Sequence, residues 1–101
     1  MPAISKLGVM STGHEGFPPT PMVTTPVVKT YVNGILAGVA DPQCQFVEHH
    51  SGSTVHPQQD RYPIPAPGNK TYIEGYPIAR IGDSLYDGDA IAEGSSNSFS
   101  K

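Results

Sequence analysis

Two stretches of the chain repeat each other. Lys29-Thr30-Tyr31-Val32-Asn33-Gly34 is echoed by Lys70-Thr71-Tyr72-Ile73-Glu74-Gly75, and Asp41 and Asp83 close the two copies. A third, shortened copy follows, in which Asn97-Ser98-Phe99 falls on Lys70-Thr71-Tyr72 and Gly94 on Pro67. One supersecondary unit used almost three times must share a core, because a single unit of this size cannot bury its own apolar face. The repetition also bears on partners. A monomer with three roughly equal faces can cap a true trimer, whose three surfaces an ordinary monomer cannot match at once.

A chain of 101 residues leaves room for one domain, 1–101, and one modest core, for which the 37% of apolar residues are a lean supply. With 11 Gly and 11 Pro, no window keeps apolar residues at helical spacing for three turns without interruption. The expected class is therefore all-β: short strands joined by long, stiffened loops. Cys44 is the only cysteine, so no internal disulfide can reinforce that core. A bound metal can.

A formal charge of −3 with scattered Lys and Arg gives no electrostatic footprint for nucleic acid. The longest apolar stretch, 32–40, is broken by Asn33, Gly34 and Gly38 and is far short of a bilayer span. Met1-Pro2-Ala3-Ile4-Ser5-Lys6 lacks the basic-then-apolar order of a Sec signal.

Along the chain, 3–10 alternates and is expected as an opening strand, and 11–26, with Pro18, Pro19, Pro21 and Pro26, as a stiff loop. Val28, Thr30 and Val32 are expected on one face of a strand. Asn33-Gly34 is the strongest hairpin signal, and Glu74-Gly75 holds the same place. The return strands 35–40 and 76–82 differ by one residue, which predicts a bulge or a looser turn in the second copy. The long connection 41–66 carries three of the four histidines and the cysteine. Loops of that length are uncommon unless something functional orders them.

Pro77-Ile78-Ala79-Arg80-Ile81-Gly82-Asp83 closely resembles the Pro-Ala-Ala-Arg motif with its trailing Gly-Asp, and 69–75 resembles the strand and turn that precede it. Met1-Pro2-Ala3-Ile4-Ser5-Lys6-Leu7-Gly8 and Ser11-Thr12-Gly13-His14 resemble the opening of the same proteins. The chain is thus similar, over its whole length, to the PAAR-repeat spike-tip proteins of contractile phage tails and type VI secretion systems. The first copy departs from the pattern, with Leu36-Ala37-Gly38 where Pro-Ala-Ala-Arg would stand. The resemblance implies a small cone of short strands and loops with pseudo-three-fold repeats and a metal site near its apex. It implies a partner, a trimeric β-helical spike protein capped by one tip per trimer, and transient contact with a target-cell outer membrane. The implied location is the tail baseplate of a virion or a type VI secretion apparatus, and no catalysis is implied.

The candidate ligands lie on loops. His14 matches the family's first histidine, and His50 and His56 are spaced so that two imidazoles of one loop reach one tetrahedral ion. His50-Ser51-Gly52 is closer to the family's loop than His49 is, so His50 is preferred. The family's cysteine after the second Gly-Asp is missing, and Asp87 occupies the aligned position. Cys44 competes with Asp87 as fourth ligand, since a thiolate is the better zinc donor and it precedes His50 by six residues. Zinc is preferred to iron for such a set. Taken as a metallohydrolase, the chain lacks His-Glu-x-x-His, Gly-x-Ser-x-Gly and a phosphate-cradling glycine loop, and its core is too small to wall off a substrate cleft. A metal-binding adaptor is the other alternative, separated from a spike tip by its one-to-one stoichiometry.

Overall fold

The computed structural model describes residues 3–67 and 69–95. Within them the chain forms short strands and almost no helix: β1 (Met22–Thr24), β2 (Tyr31–Val32), β3 (Ile35–Leu36), β4 (Gln45–Phe46), β5 (His49–Ser51), β6 (Thr54–His56), β7 (Tyr72–Ile73) and β8 (Tyr76–Pro77), with one 3-10 turn at Gln58–Asp60. All ladders are antiparallel pairs: β1 with β4, β2 with β3, β5 with β6, and β7 with β8.

The hairpins β2–β3 and β7–β8 are local consequences of their turns. Asn33 (φ 54°) and Gly34 (φ 79°) both occupy the left-handed region, as do Glu74 (φ 52°) and Gly75 (φ 86°), the backbone a two-residue type I′ turn requires. Register matches between the copies: Val32 faces Ile35 as Ile73 faces Tyr76. Neither the bulge nor the looser turn expected in the second copy is therefore present in this hairpin; the extra residue of 76–82 falls beyond the two-residue ladder, where it cannot shift the pairing. Glu74 ties one copy to the other, its carboxylate accepting from the Val28 and Lys29 N–H groups and the Thr30 hydroxyl.

Away from the turns, three segments meet. The Ser5 N–H donates to the Ala79 carbonyl (2.9 Å), the Ala79 N–H to the Gly38 carbonyl (3.3 Å), and the Gly38 N–H to the Ser5 carbonyl (3.0 Å), which closes a ring of three backbone hydrogen bonds. A second set runs beside it: Leu7 N–H to Leu36 O, Ala40 N–H to Pro77 O, and Ile81 N–H to Ala3 O. Gly38 and Ala79 hold the same place in the two copies, as do Leu36 and Pro77, and Ala40 and Ile81. The opening segment is consequently not a continuous strand. Ile4 bridges Arg80, Lys6 bridges Ala37 and Met10 bridges Pro21, with the chain turning at Gly8 (φ 89°).

The core gathers around Val9, Met22, Val27, Val32, Val39 and Phe46 with Leu85 and Ile91. Val27, not Val28, is the inward residue ahead of β2, because Val28 and Lys29 turn outward where Glu74 binds their N–H groups. The stretch 11–26 is not all loop: β1 forms between Pro21 and Pro26, and Met22 is sealed in the core opposite Phe46. Prolines at its margins end the strand without removing a donor from its middle. The connection 41–66 is ordered by β4, the β5–β6 hairpin and the 3-10 turn. The shortened third copy at Asn97-Ser98-Phe99 lies outside the described residues, as do Met1 and Pro2 of the opening motif.

Candidate metal centre

In the β5–β6 hairpin, Gly52 (φ 61°) takes the first position of a two-residue turn, where a type II′ turn needs positive φ. That turn sets His49 opposite His56 and His50 opposite Val55. Successive residues of a strand point to opposite faces, so only one of the two adjacent histidines can share a face with His56. It is His49, which is buried, while the His50 side chain is 56% exposed and lies 3.0 Å from Glu48. The preference for His50 over His49 is therefore reversed by strand parity.

His14 arrives on a separate turn. His14 and Phe17 exchange backbone hydrogen bonds across Glu15 (φ 45°) and Gly16 (φ 85°). Phe17 stacks on His56 with ring centroids 3.9 Å apart, and His14 stacks on His56 at 5.1 Å. Asp87 completes the group: its Oδ2 lies 3.1 Å from His49 Nε2 and 3.2 Å from His56 Nδ1. His14, His49, His56 and Asp87 each offer one ligand atom, and these atoms all lie within 4.8 Å of one another, a set able to hold a metal ion.

The chemistry of the donors fits an ion. His49 Nδ1 lies 3.0 Å from the Pro18 carbonyl, which can only accept, so Nδ1 carries the proton and Nε2 turns its lone pair to the cluster. Burial, with the Arg61 charge adding to it and the Pro18 bond opposing, holds the His49 pKa below the ordinary imidazole value. This direction favours the neutral ring, the form in which an imidazole binds a metal. Both ring nitrogens of His14 are buried with no hydrogen-bond partner, a costly state that a bound metal would relieve at one of them. Burial works against ionisation of Asp87, but the Arg61 guanidinium and the Asp89 N–H outweigh it and lower its pKa. Asp89 is likewise opposed by burial, yet the Thr12 and Ser11 hydroxyls, the Ala90 N–H and Arg61 bring it to about 2.

Cys44 is not part of this group. It is fully buried in the core, its Sγ 3.6 Å from Met22 Sδ, and burial pushes its pKa up to about 11. Its thiol is expected to resist iodoacetamide in the native protein and to react only after denaturation, and Cys44→Ser is expected to leave metal content unchanged. Alkylation of the native protein at the rate of the denatured chain would overturn this.

Sequence reasoning missed Arg61 and Phe17. Neither sits in a motif with its partners: Arg61 is fully buried yet binds groups from four separate segments. The only sequence signal was a lone arginine in a histidine-bearing loop beside Asp60, which reads equally as a solvated pair. No protein-family model matches the chain, and no curated protein matches it.

Proposed function

We propose that this chain is the tip of the central spike of a contractile tail or type VI secretion apparatus, a metal-reinforced cap that sharpens the blunt end of a trimeric β-helix. The observation that carries this reading is the closed ring of Ser5, Gly38 and Ala79 with its companion set of bonds. It supports an approximate three-fold axis, with 3–7 standing as the return segment of the third copy beside the matching 36–40 and 77–81. A cap on a trimer needs three such edges. Tyr31 and Tyr72, at equivalent places in the two hairpins, are 60% and 59% exposed, and they belong to the face that docks on the protomers.

The metal has a structural role in this reading. Three imidazoles and one carboxylate from the protein complete a tetrahedral set and leave no open position for substrate, which favours a cross-link over catalysis. His14, His49, His56 and Asp87 hold the ion, and zinc suits this donor set better than iron. The ion ties the β5–β6 hairpin to the His14 turn and the Asp87 loop, adding to the Phe17 stack on His56 and the Arg61 hydrogen bonds that already join them. No helix among the described residues is long and apolar enough to cross a membrane. Contact with the target outer membrane would be transient and driven by the contracting machine, with no nucleic acid involved.

Co-expression with a trimeric β-helical spike protein, followed by native mass spectrometry and elemental analysis, tests the reading. One copy per trimer and about one zinc per copy are expected. Three copies per trimer, or attachment through the histidine-bearing turns with the hairpins left free, would overturn it in favour of an adaptor.

A further inference from the structure

Arg61 lies wholly inside the protein, where a guanidinium is tolerated only if its donors are satisfied. Its Nε donates to the Val47 carbonyl (2.8 Å), and its Nη2 to Ser11 Oγ (3.1 Å) and Thr20 Oγ1 (2.6 Å). Nη1 faces three acceptors: Asp87 Oδ2 at 2.7 Å, His49 Nε2 at 3.0 Å and Asp89 Oδ2 at 3.2 Å. With two hydrogens on Nη1, occupancy of the His49 lone pair by a metal leaves one hydrogen for each carboxylate, and all five donors are then used.

Asp87 is held at both ends. While Oδ2 accepts from Arg61, Oδ1 accepts the Asp89 N–H at 3.2 Å. A carboxylate anchored in this way cannot swing to offer two oxygens. Only one lone pair of Oδ2 remains, on the side where the imidazoles converge.

We infer that Arg61 is the positioning residue of the metal centre: it fixes Asp87 as a single-oxygen ligand and thereby selects ions that accept three nitrogens and one oxygen over those that need an oxygen-rich, higher-coordinate shell. The inference rests on the metal-binding reading above. Zinc and cobalt(II) satisfy the first description, manganese, magnesium and calcium the second. Lysine cannot replace Arg61, because one ammonium cannot reach Val47, Ser11 and Thr20 while bonding both carboxylates.

The test uses the full chain stripped with a chelator and titrated with zinc, cobalt(II) and manganese against a chromophoric chelator. Wild type is expected to bind zinc and to give the intense visible cobalt bands of a four-coordinate site. Arg61→Lys is expected to weaken zinc about 10–100-fold, to weaken the cobalt bands as Asp87 loosens and coordination rises, and to narrow the zinc-over-manganese preference. Thr20→Val removes one acceptor of Nη2 without touching a ligand, and is expected to shift the same readouts in the same direction by a smaller amount. If Arg61→Lys does not fold, Thr20→Val decides alone. Folded variants with zinc affinity within about twofold of wild type and unchanged cobalt bands, or lowered stability without a spectral change, would overturn the role of Arg61 while leaving the metal centre standing. Wild type that binds no metal would overturn the metal centre itself and this inference with it.

Discussion

His14→Ala, His49→Ala, His56→Ala and Asp87→Ala are each expected to lower zinc affinity by on the order of a hundredfold or more, beyond the roughly 10–100-fold typical of outer-shell changes, whereas His50→Ala changes nothing measurable. The pair His49 and His50 makes this decisive, because the two residues are adjacent, identical and differ only in the face to which β5 turns them. His49 Nε2 lies 3.1 Å from Asp87 Oδ2, while His50 projects to solvent beside Glu48. Binding to the folded state alone raises stability by the logarithm of ligand concentration over Kd. The difference in Tm between zinc-loaded and chelated protein should accordingly collapse for the four ligand variants and persist for His50→Ala. Loss of the difference in His50→Ala, or its survival in His49→Ala, would mean that the hairpin register is wrong by one residue.

Gly38→Ala is expected to destabilise the protein by about 1–3 kcal/mol, a typical cost of overpacking, lowering Tm by roughly 5–20 °C for a domain of this size. The cause is space and not backbone conformation. A Cβ at position 38 would collide with Ser5 Oγ and come within 2.7 Å of Met22 Cε. Ser5 Oγ cannot simply move away, because it donates to the Ala79 carbonyl at 2.8 Å inside the ring of backbone bonds. Met22 is itself packed against Phe46 and Cys44. Thermal unfolding followed by circular dichroism checks the prediction, and an unchanged midpoint would mean that Ser5, Gly38 and Ala79 do not meet.

What could be read from the residues alone was what depends on near neighbours. Asn33-Gly34 and Glu74-Gly75 turn because both central positions of the turn need positive φ. The abundance of Pro and Gly excludes long helices wherever the chain goes. His14, His56 and Asp87 could be named as candidates from their motifs and spacing, and all three sit in the cluster.

Other features depended on which segments come together. His49 rather than His50 is a matter of strand parity, and parity follows from the two-residue turn at Gly52-Ser53, not from the distance to His56 along the chain. Cys44 is the better zinc donor by chemistry, yet the pairing of β1 with β4 draws its neighbourhood into the core and away from the histidines. Strand β1 forms between prolines because β4 supplies its partner. Arg61 becomes informative only once Ser11, Thr20, Val47, Asp87 and Asp89 surround it. Turn chemistry and the absence of long helices among the described residues were written in the sequence because they are decided within a few residues. The His–Asp cluster, the arginine behind it and the ring at Ser5, Gly38 and Ala79 were decided by tertiary structure, since each joins groups that are distant in the chain and meet only in the fold.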